Sequence, residues 1–415
     1  MEGDRVEAAV AEATRARFLA PSWVLLDDAR GVTARDLASG AELRLEVGSA
    51  LGSAPGSAPT SAPGSRASWW AALPGRLRAL SAFEPELAPL AGAWEQHAPV
   101  PLDRAALLAG EGFELLFVEL TARCNEACLH CYAEASPSAS AALDGATLRA
   151  VLEDARVLGF RRVQLTGGDP LLSPWLVPAA RWAAALGFEQ VEIFTNGLAL
   201  TADLLRRLRG LPVAFACSCY SFDPAVHDRI TQRPGSQRRT VRALRRVLAA
   251  GFPLRVGIIA LDENRAQVEA TREWLERLGV PAHAIGVSAQ RQVGRGTVTA
   301  LDPASATVSS LPSGGDAACE RVPFTGKAAV AADGTVYPCI FSRTLPLGSV
   351  HRQSLRAILT APVALPGELA ALGERAAAWA DRLACGECRV RAALLAEARP
   401  STTPGPLEST VGPTA

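Results

Sequence analysis

From position 115 to about 300, short apolar runs alternate with segments in which apolar residues recur every three to four positions. The runs, at 115–120, 162–165, 190–194, 213–219, 254–260 and 284–288, predict strands. Between them Leu148, Val151, Leu152, Ala155 and Leu158 keep a 3.6-residue period, as do Val241, Leu244, Val247 and Leu248. That spacing predicts amphipathic helices. Six strand–helix units imply an α/β fold with a parallel sheet, which right-handed crossovers curve into a barrel or partial barrel.

The flanks read differently. Trp23–Asp27 and residues 42–47 are set off by Asp28-Ala29-Arg30-Gly31 and Ser39-Gly40, the pattern of a small β-meander. Residues 51–66 repeat Gly-Ser-Ala-Pro, the composition of a flexible linker, and 69–97 reads as helix. Residues 400–415 are rich in Pro, Ser, Thr and Gly and are expected to be disordered. The chain thus divides into an N-terminal α+β extension (1–100), a barrel (113–300), a small C-terminal α+β segment (301–398) and a tail (399–415).

Composition narrows the function classes. At 415 residues there is room for two or three domains, and 49% hydrophobic residues fit a globular protein. Lys plus Arg equals Asp plus Glu at 42 each, so no global basic field exists and no nucleic-acid partner is expected. Residues 1–17 carry mixed charges without a continuous apolar core, and no stretch has the length and purity of a membrane span. Nine cysteines without export features point to metal ligation rather than disulfides, and to the cytoplasm.

Three of those cysteines, Cys124, Cys128 and Cys131, form C-x3-C-x2-C directly after the first barrel strand. Thiolates favour iron–sulfur clusters or zinc; three of them can hold three irons of a cubane and leave the fourth open. A closed zinc site needs a fourth ligand, and His130 lies inside the C-x2-C loop, where chelation is strained. After the second strand comes Thr166-Gly167-Gly168-Asp169-Pro170, where glycines let backbone approach a ligand and a carboxylate can accept from an ammonium group. Thr195-Asn196-Gly197 closes the third strand as a turn. Strand alternation puts Ala216, Ser218 and Tyr220 on one face and Cys217 with Cys219 on the other, where cysteines act as small buried hydrophobes. Four more cysteines, Cys319, Cys339, Cys385 and Cys388, lie past the barrel, with Asp333-Gly334 reading as a hairpin turn that delivers Cys339.

The string Leu120-Thr121-Ala122-Arg123-Cys124-Asn125, with the three cysteines and Tyr132 after them, resembles the signature of the radical S-adenosylmethionine (SAM) superfamily, its peptide-modifying branch in particular. The resemblance implies a partial (β/α)6 barrel and a [4Fe–4S] cluster whose open iron binds the amino and carboxylate groups of SAM. Reductive cleavage of SAM then yields methionine and a 5′-deoxyadenosyl radical that abstracts hydrogen. By the same resemblance Gly167, Gly168 and Asp169 match a Gly-Gly-Glu-Pro element that contacts the SAM amino group, with Asp169 one methylene shorter. Ser218 would point into the barrel and touch SAM, and Arg295 of Gly294-Arg295-Gly296 would reach its carboxylate. Thr195-Asn196-Gly197 ranks as structural, with a SAM contact as the alternative, and Gly257 to Asn264 resembles an adenine-contacting segment. Phe222 to Asp228 and Thr231 to Ser236 resemble a helix and loop of the peptide-modifying members, with His227 structural.

Gly334 to Cys339 (Gly-x4-Cys), Leu347 to Val350, and Trp379 to Cys388 resemble the SPASM and twitch domains, which carry auxiliary clusters. Ala376 and Trp379 stand where a full SPASM domain has a further C-x2-C pair. The four remaining cysteines suffice for one auxiliary [4Fe–4S] cluster, with zinc as the structural alternative. The implied function is radical modification of a ribosomally made peptide by cross-linking, epimerisation or oxidation. Its partners would be a precursor peptide and a flavodoxin- or ferredoxin-type electron donor, and the N-terminal extension would recognise a leader. A small-molecule radical SAM dehydrogenase or cyclase, and a zinc-stabilised binding protein with a degenerate barrel, are the alternatives. No residue is assigned as catalytic hydrogen donor or base.

Overall fold

A computed structural model of the chain describes residues 16–20, 22–27, 31–36, 42–46, 66–82, 84–291, 293–297 and 326–363. Cys319, Cys385, Cys388, the tail at 399–415 and all but Arg66 of the Gly-Ser-Ala-Pro repeat lie outside the described residues.

The N-terminal strands β1 (Ala16–Leu19), β2 (Trp23–Asp27), β3 (Gly31–Asp36) and β4 (Glu42–Glu46) form an antiparallel meander, and β5 (Val100–Pro101) adds to its β1 edge. Period-two alternation sends Leu19, Trp23, Leu25, Val32, Ala34 and Leu45 to one face. There they pack on Leu73 and Leu77 of helix α1 (Arg66–Ser81) and on Leu90, Ala91 and Ala93 of helix α2 (Ala88–Gln96). Phe18 and Val24 point the other way, into the core of the main domain, beside Leu107 and Leu108 of helix α3 (Arg104–Ala109). The single helix expected over 69–97 is two helices. Pro85 has no N–H to donate and holds Glu84 extended (φ −120°, ψ 88°), so the first helix stops and a short 3₁₀ turn starts the second.

The main sheet carries the predicted strands in sequence order: β6 (Leu115–Thr121), β7 (Arg162–Gly167), β8 (Gln190–Thr195), β9 (Val213–Ser218), β10 (Leu254–Ala260) and β11 (Ile285–Ala289), all parallel. Leu116, Val118, Leu120, Val163, Leu165, Val191, Ile193, Val256 and Ile258 form the outer core. They pack under helices α4 (Gly145–Val157), α5 (Leu176–Ala185), α6 (Ala202–Leu208), α7 (Pro224–Thr231), α8 (Ser236–Ala249) and α9 (Val268–Arg277). The apolar stripe of α4 is buried at Leu148, Val151, Leu152 and Ala155, and that of α8 at Val241, Leu244 and Val247. Alternate strand residues, among them Glu119, Thr166 and Ser218, therefore face the barrel interior.

The C-terminal segment continues this sheet. Strand β12 (Lys327–Val330) pairs parallel with β6, from Lys327↔Leu115 to Val330↔Val118. Strands β13 (Thr335–Tyr337) and β14 (Gly348–Ser349) follow antiparallel, and helix α10 (Leu355–Leu359) packs near α4. Among the described residues no helix is long and apolar enough to cross a membrane.

Candidate active site

The cysteine loop leaves the C-terminal end of β6, where active residues of parallel barrels gather. Its backbone is held from three sides. Ala127 N and Leu129 N donate to the carbonyls of Thr231 (3.2 Å) and Ile230 (3.0 Å), which end α7 and have no partner within the helix. Arg233 Nη1 donates to Asn125 O at 2.6 Å. Arg295 donates from Nε to Cys128 O (2.8 Å), from Nη1 to Ala135 O (2.9 Å) and from its backbone N to Cys131 O (3.1 Å).

Cys124 is buried and Cys128 and Cys131 are half-buried, all three as free thiols. Burial pushes the Cys124 thiol up to about 12 and Cys128 well above the ordinary thiol range, so metal loading must displace protons. Among the described residues no three His, Cys, Asp or Glu side chains converge to hold a single metal ion. A cubane instead takes one thiolate per iron, which suits this loop better than zinc. Two buried polar atoms beside the loop have no partner among the described residues: Arg295 Nη2 and His130 Nδ1. The guanidinium N–H is free to bind a carboxylate. Burial, then Arg295, lowers His130 to about 4, so the imidazole is neutral and lies edge-on to Tyr220 with centroids 4.8 Å apart. The thiolate set, the unpartnered guanidinium N–H and the neutral ring together fit a cluster with SAM.

The glycines of the second loop approach protein backbone. A Cβ on Gly167, which has φ +131°, would overlap Thr121 O, and one on Gly168 would overlap Arg123 O. Their absence lets Gly168 N donate to Thr121 O (2.6 Å) and Asp169 N to Arg123 O (2.9 Å), pinning this loop to the entry of the cysteine loop. Asp169 is fully buried: Oδ1 accepts from Leu171 N (2.8 Å), and Oδ2 from Thr195 Oγ1 (2.8 Å) and Asn196 N (3.1 Å). Burial raises its carboxyl to about 6. Ser218 ends β9, with its side chain beside the Tyr220 hydroxyl. Cys217 and Cys219 are buried in the outer core, and burial raises both thiols.

Some of the site is not evident from motifs. Asn196 Nδ2 reaches Asn125 Oδ1 (2.6 Å) and lies 3.7 Å from Cys124 Sγ, so the third-strand turn touches the cysteine loop at its first sulfur. Glu126, inside the cysteine loop, is buried and accepts from Ser236 Oγ at the start of α8; burial raises it to about 7. Ser236 Oγ also meets His227 Nε2 (3.3 Å), and His227 Nδ1 accepts from Tyr220 N (3.2 Å). The charge of Glu126 was visible between the cysteines, but its partner Ser236 lies far along the chain on α8.

Comparison with known proteins agrees with this geometry. Residues 118–275 match the Radical SAM superfamily, and residues 319–389 match an iron–sulfur cluster-binding domain, SPASM. The AdoMet-dependent heme synthase of Methanosarcina barkeri is 28% identical over 173 residues, 41% of this chain and 49% of that protein. The PqqA peptide cyclase of Gluconobacter oxydans is 34% identical over 167 residues, 40% of this chain and 46% of that protein. The chain thus spans about half the length of these curated relatives. The crystal structure of Streptococcus suis SuiB bound to precursor peptide SuiA shares the fold, with TM-score 0.50 and 11% identity over 83% of this chain and 88% of that one. The matched spans, a Radical SAM domain at 118–275 and an iron–sulfur cluster-binding domain at 319–389, mark the chain as an enzyme whose cofactors are iron–sulfur cluster and SAM.

Proposed function

We propose that the enzyme installs a radical modification on a ribosomally made precursor peptide. The observation that carries this reading is the N-terminal sheet, which is docked on the barrel by Phe18 and Val24 and whose outer strand β4 pairs only with β3 among the described residues. An unpaired strand edge is a template for an extended peptide, where backbone hydrogen bonds give affinity and alternate side chains give specificity. The peptide cyclase relative and the fold shared with SuiB support it.

Cys124, Cys128 and Cys131 would hold the cluster, which with SAM supplies reductive cleavage and the 5′-deoxyadenosyl radical. The chain's own residues orient these groups. Arg295 clamps the cysteine loop and keeps Nη2 for the SAM carboxylate. Gly167, Gly168 and Asp169 lock the neighbouring loop against it, and Ser218 lines the interior. Cys319, Cys339, Cys385 and Cys388 would hold the auxiliary cluster. A flavodoxin- or ferredoxin-type protein would deliver the electron.

A second reading, a small-molecule radical SAM enzyme, is favoured by the heme synthase relative. The test is co-expression with each short open reading frame found beside the gene, read by mass spectrometry, alongside 5′-deoxyadenosine release from the reconstituted enzyme. The peptide reading expects a changed peptide mass that Cys124→Ala abolishes. Release of 5′-deoxyadenosine with the peptide neither bound nor altered sinks that reading in favour of a small molecule.

A further inference from the structure

The segment after Cys339 sends one charged side chain back toward the cysteine loop. Arg343 is largely buried and pairs with Glu119, an interior residue of β6 that is itself buried. The other oxygen of Glu119 accepts from Ala332 N (3.3 Å), and Arg343 Nε donates to Ile340 O (2.9 Å). The guanidinium carbon lies 5.3 Å from the ring centroids of both Tyr132 and Tyr337. Tyr132 follows Cys131 directly, and its hydroxyl lies beside the side chain of Thr166, the residue before Gly167. Its edge meets Phe341 at 5.4 Å.

Tyr132 is thus held by the Arg343 guanidinium and by the Phe341 ring, with its hydroxyl beside Thr166. Both holds come from the segment that carries Cys339, although Tyr132 belongs to the loop of Cys131. A buried ion pair is weak evidence for stability, since apolar residues of similar volume often serve as well. A planar guanidinium against two phenol rings does something an apolar side chain does not: it fixes ring orientation through charge and stacking together.

We propose that Arg343 is a positioning residue for SAM binding. It orients Tyr132, and through Tyr132 both the Cys131 end of the cluster loop and the Thr166 end of the Gly-Gly-Asp loop. The C-terminal domain then sets the geometry of the SAM site as well as carrying its own cysteines. This rests on the SAM site and not on the peptide substrate.

The experiment uses the full chain reconstituted with iron and sulfide, in wild type, Arg343→Lys and the double variant Glu119→Gln/Arg343→Met. The lysine keeps the charge and loses the planar face; the double variant removes both charges and leaves neither buried alone. Iron content and circular dichroism report folding. SAM affinity by equilibrium dialysis, and the SAM-induced change in the electron paramagnetic resonance of the reduced cluster, report positioning. Both variants should load wild-type iron, bind SAM roughly tenfold more weakly, as outer partners of metal sites typically do, and show a diminished spectral change. Wild-type affinity in either variant that keeps its fold overturns the proposal. So does unfolding of both, which would leave Arg343 a purely structural role. Wild-type protein that fails to bind SAM would instead overturn the reading of the SAM site.

Discussion

Asp169 shows how a motif residue can brace the protein around it. Its two oxygens take three protein donors, so the carboxylate ties the end of β7 to the Thr195-Asn196 turn. Asp169→Ala would leave the Thr195 hydroxyl and two backbone N–H groups unpaired in a buried place. We expect a loss of roughly 2–4 kcal/mol, from about 1–3 kcal/mol per unmet group with partial relaxation, measured by urea denaturation of the metal-free protein. His227 makes a prediction about pH. Burial lowers it to about 4, so the folded protein keeps it neutral while the unfolded chain protonates near the ordinary value of 6.5. The unfolded state therefore binds more protons between these values, and stability falls as pH drops through that window, by up to about 3 kcal/mol. Asp228 beside it opposes the shift, and Glu126, raised to about 7, contributes in the opposite sense in both proteins compared. His227→Gln should accordingly lose less stability than wild type between pH 6.5 and 4.5, read from urea midpoints. An unchanged pH slope would mean that His227 is not the group responsible.

At the scale of elements, what was legible in sequence is what local pattern determines. The six parallel strands follow from short apolar runs and the buried stripes of α4 and α8 from a period of 3.6, and the meander follows from its turns. The break at Pro85 was written in the chain, but the apolar residues on both sides, Leu77 and Leu87, share one core and mask it. Two features had no local signal. The pairing of β12 with β6 joins segments far apart in sequence, and Lys327-Ala328-Ala329-Val330 has nothing to name its partner. The glycines of Gly167-Gly168 advertise a close approach without saying what approaches, and the answer is Thr121 and Arg123. Arg104 is a third instance of long-range design. From α3 it donates to Leu347 O (2.9 Å) and Ile358 O (3.2 Å), joining the start of the barrel domain to β14 and α10. Arg104→Leu should cost about 2–3 kcal/mol through the carbonyls left unmet. It should lower the urea midpoint without changing the slope of the transition.

For the whole molecule, the question is whether one chain holds two clusters. The C-terminal strands extend the sheet that carries the cysteine loop, so Cys339 sits on the same scaffold as Cys124, Cys128 and Cys131. The contact of Tyr132 with Phe341, two residues past Cys339, links the two regions directly. The remaining C-terminal cysteines, Cys319, Cys385 and Cys388, fall in or beside the span matched as iron–sulfur cluster-binding. Three thiolates on one site and four on the other predict about eight irons after anaerobic reconstitution. Replacing Cys124, Cys128 and Cys131 by Ala should lower that to about four, and so should replacing Cys385 and Cys388. The two losses should also be distinguishable: only the first removes the SAM-induced spectral change, because only the first site leaves an iron without a protein ligand. About four irons in wild type, none after the first substitution, and zinc retained would instead show a single-cluster enzyme braced by a zinc site. Such an enzyme would have no second cluster to take up the electron left on a peptide radical, and its chemistry would be confined to reactions that return that electron elsewhere.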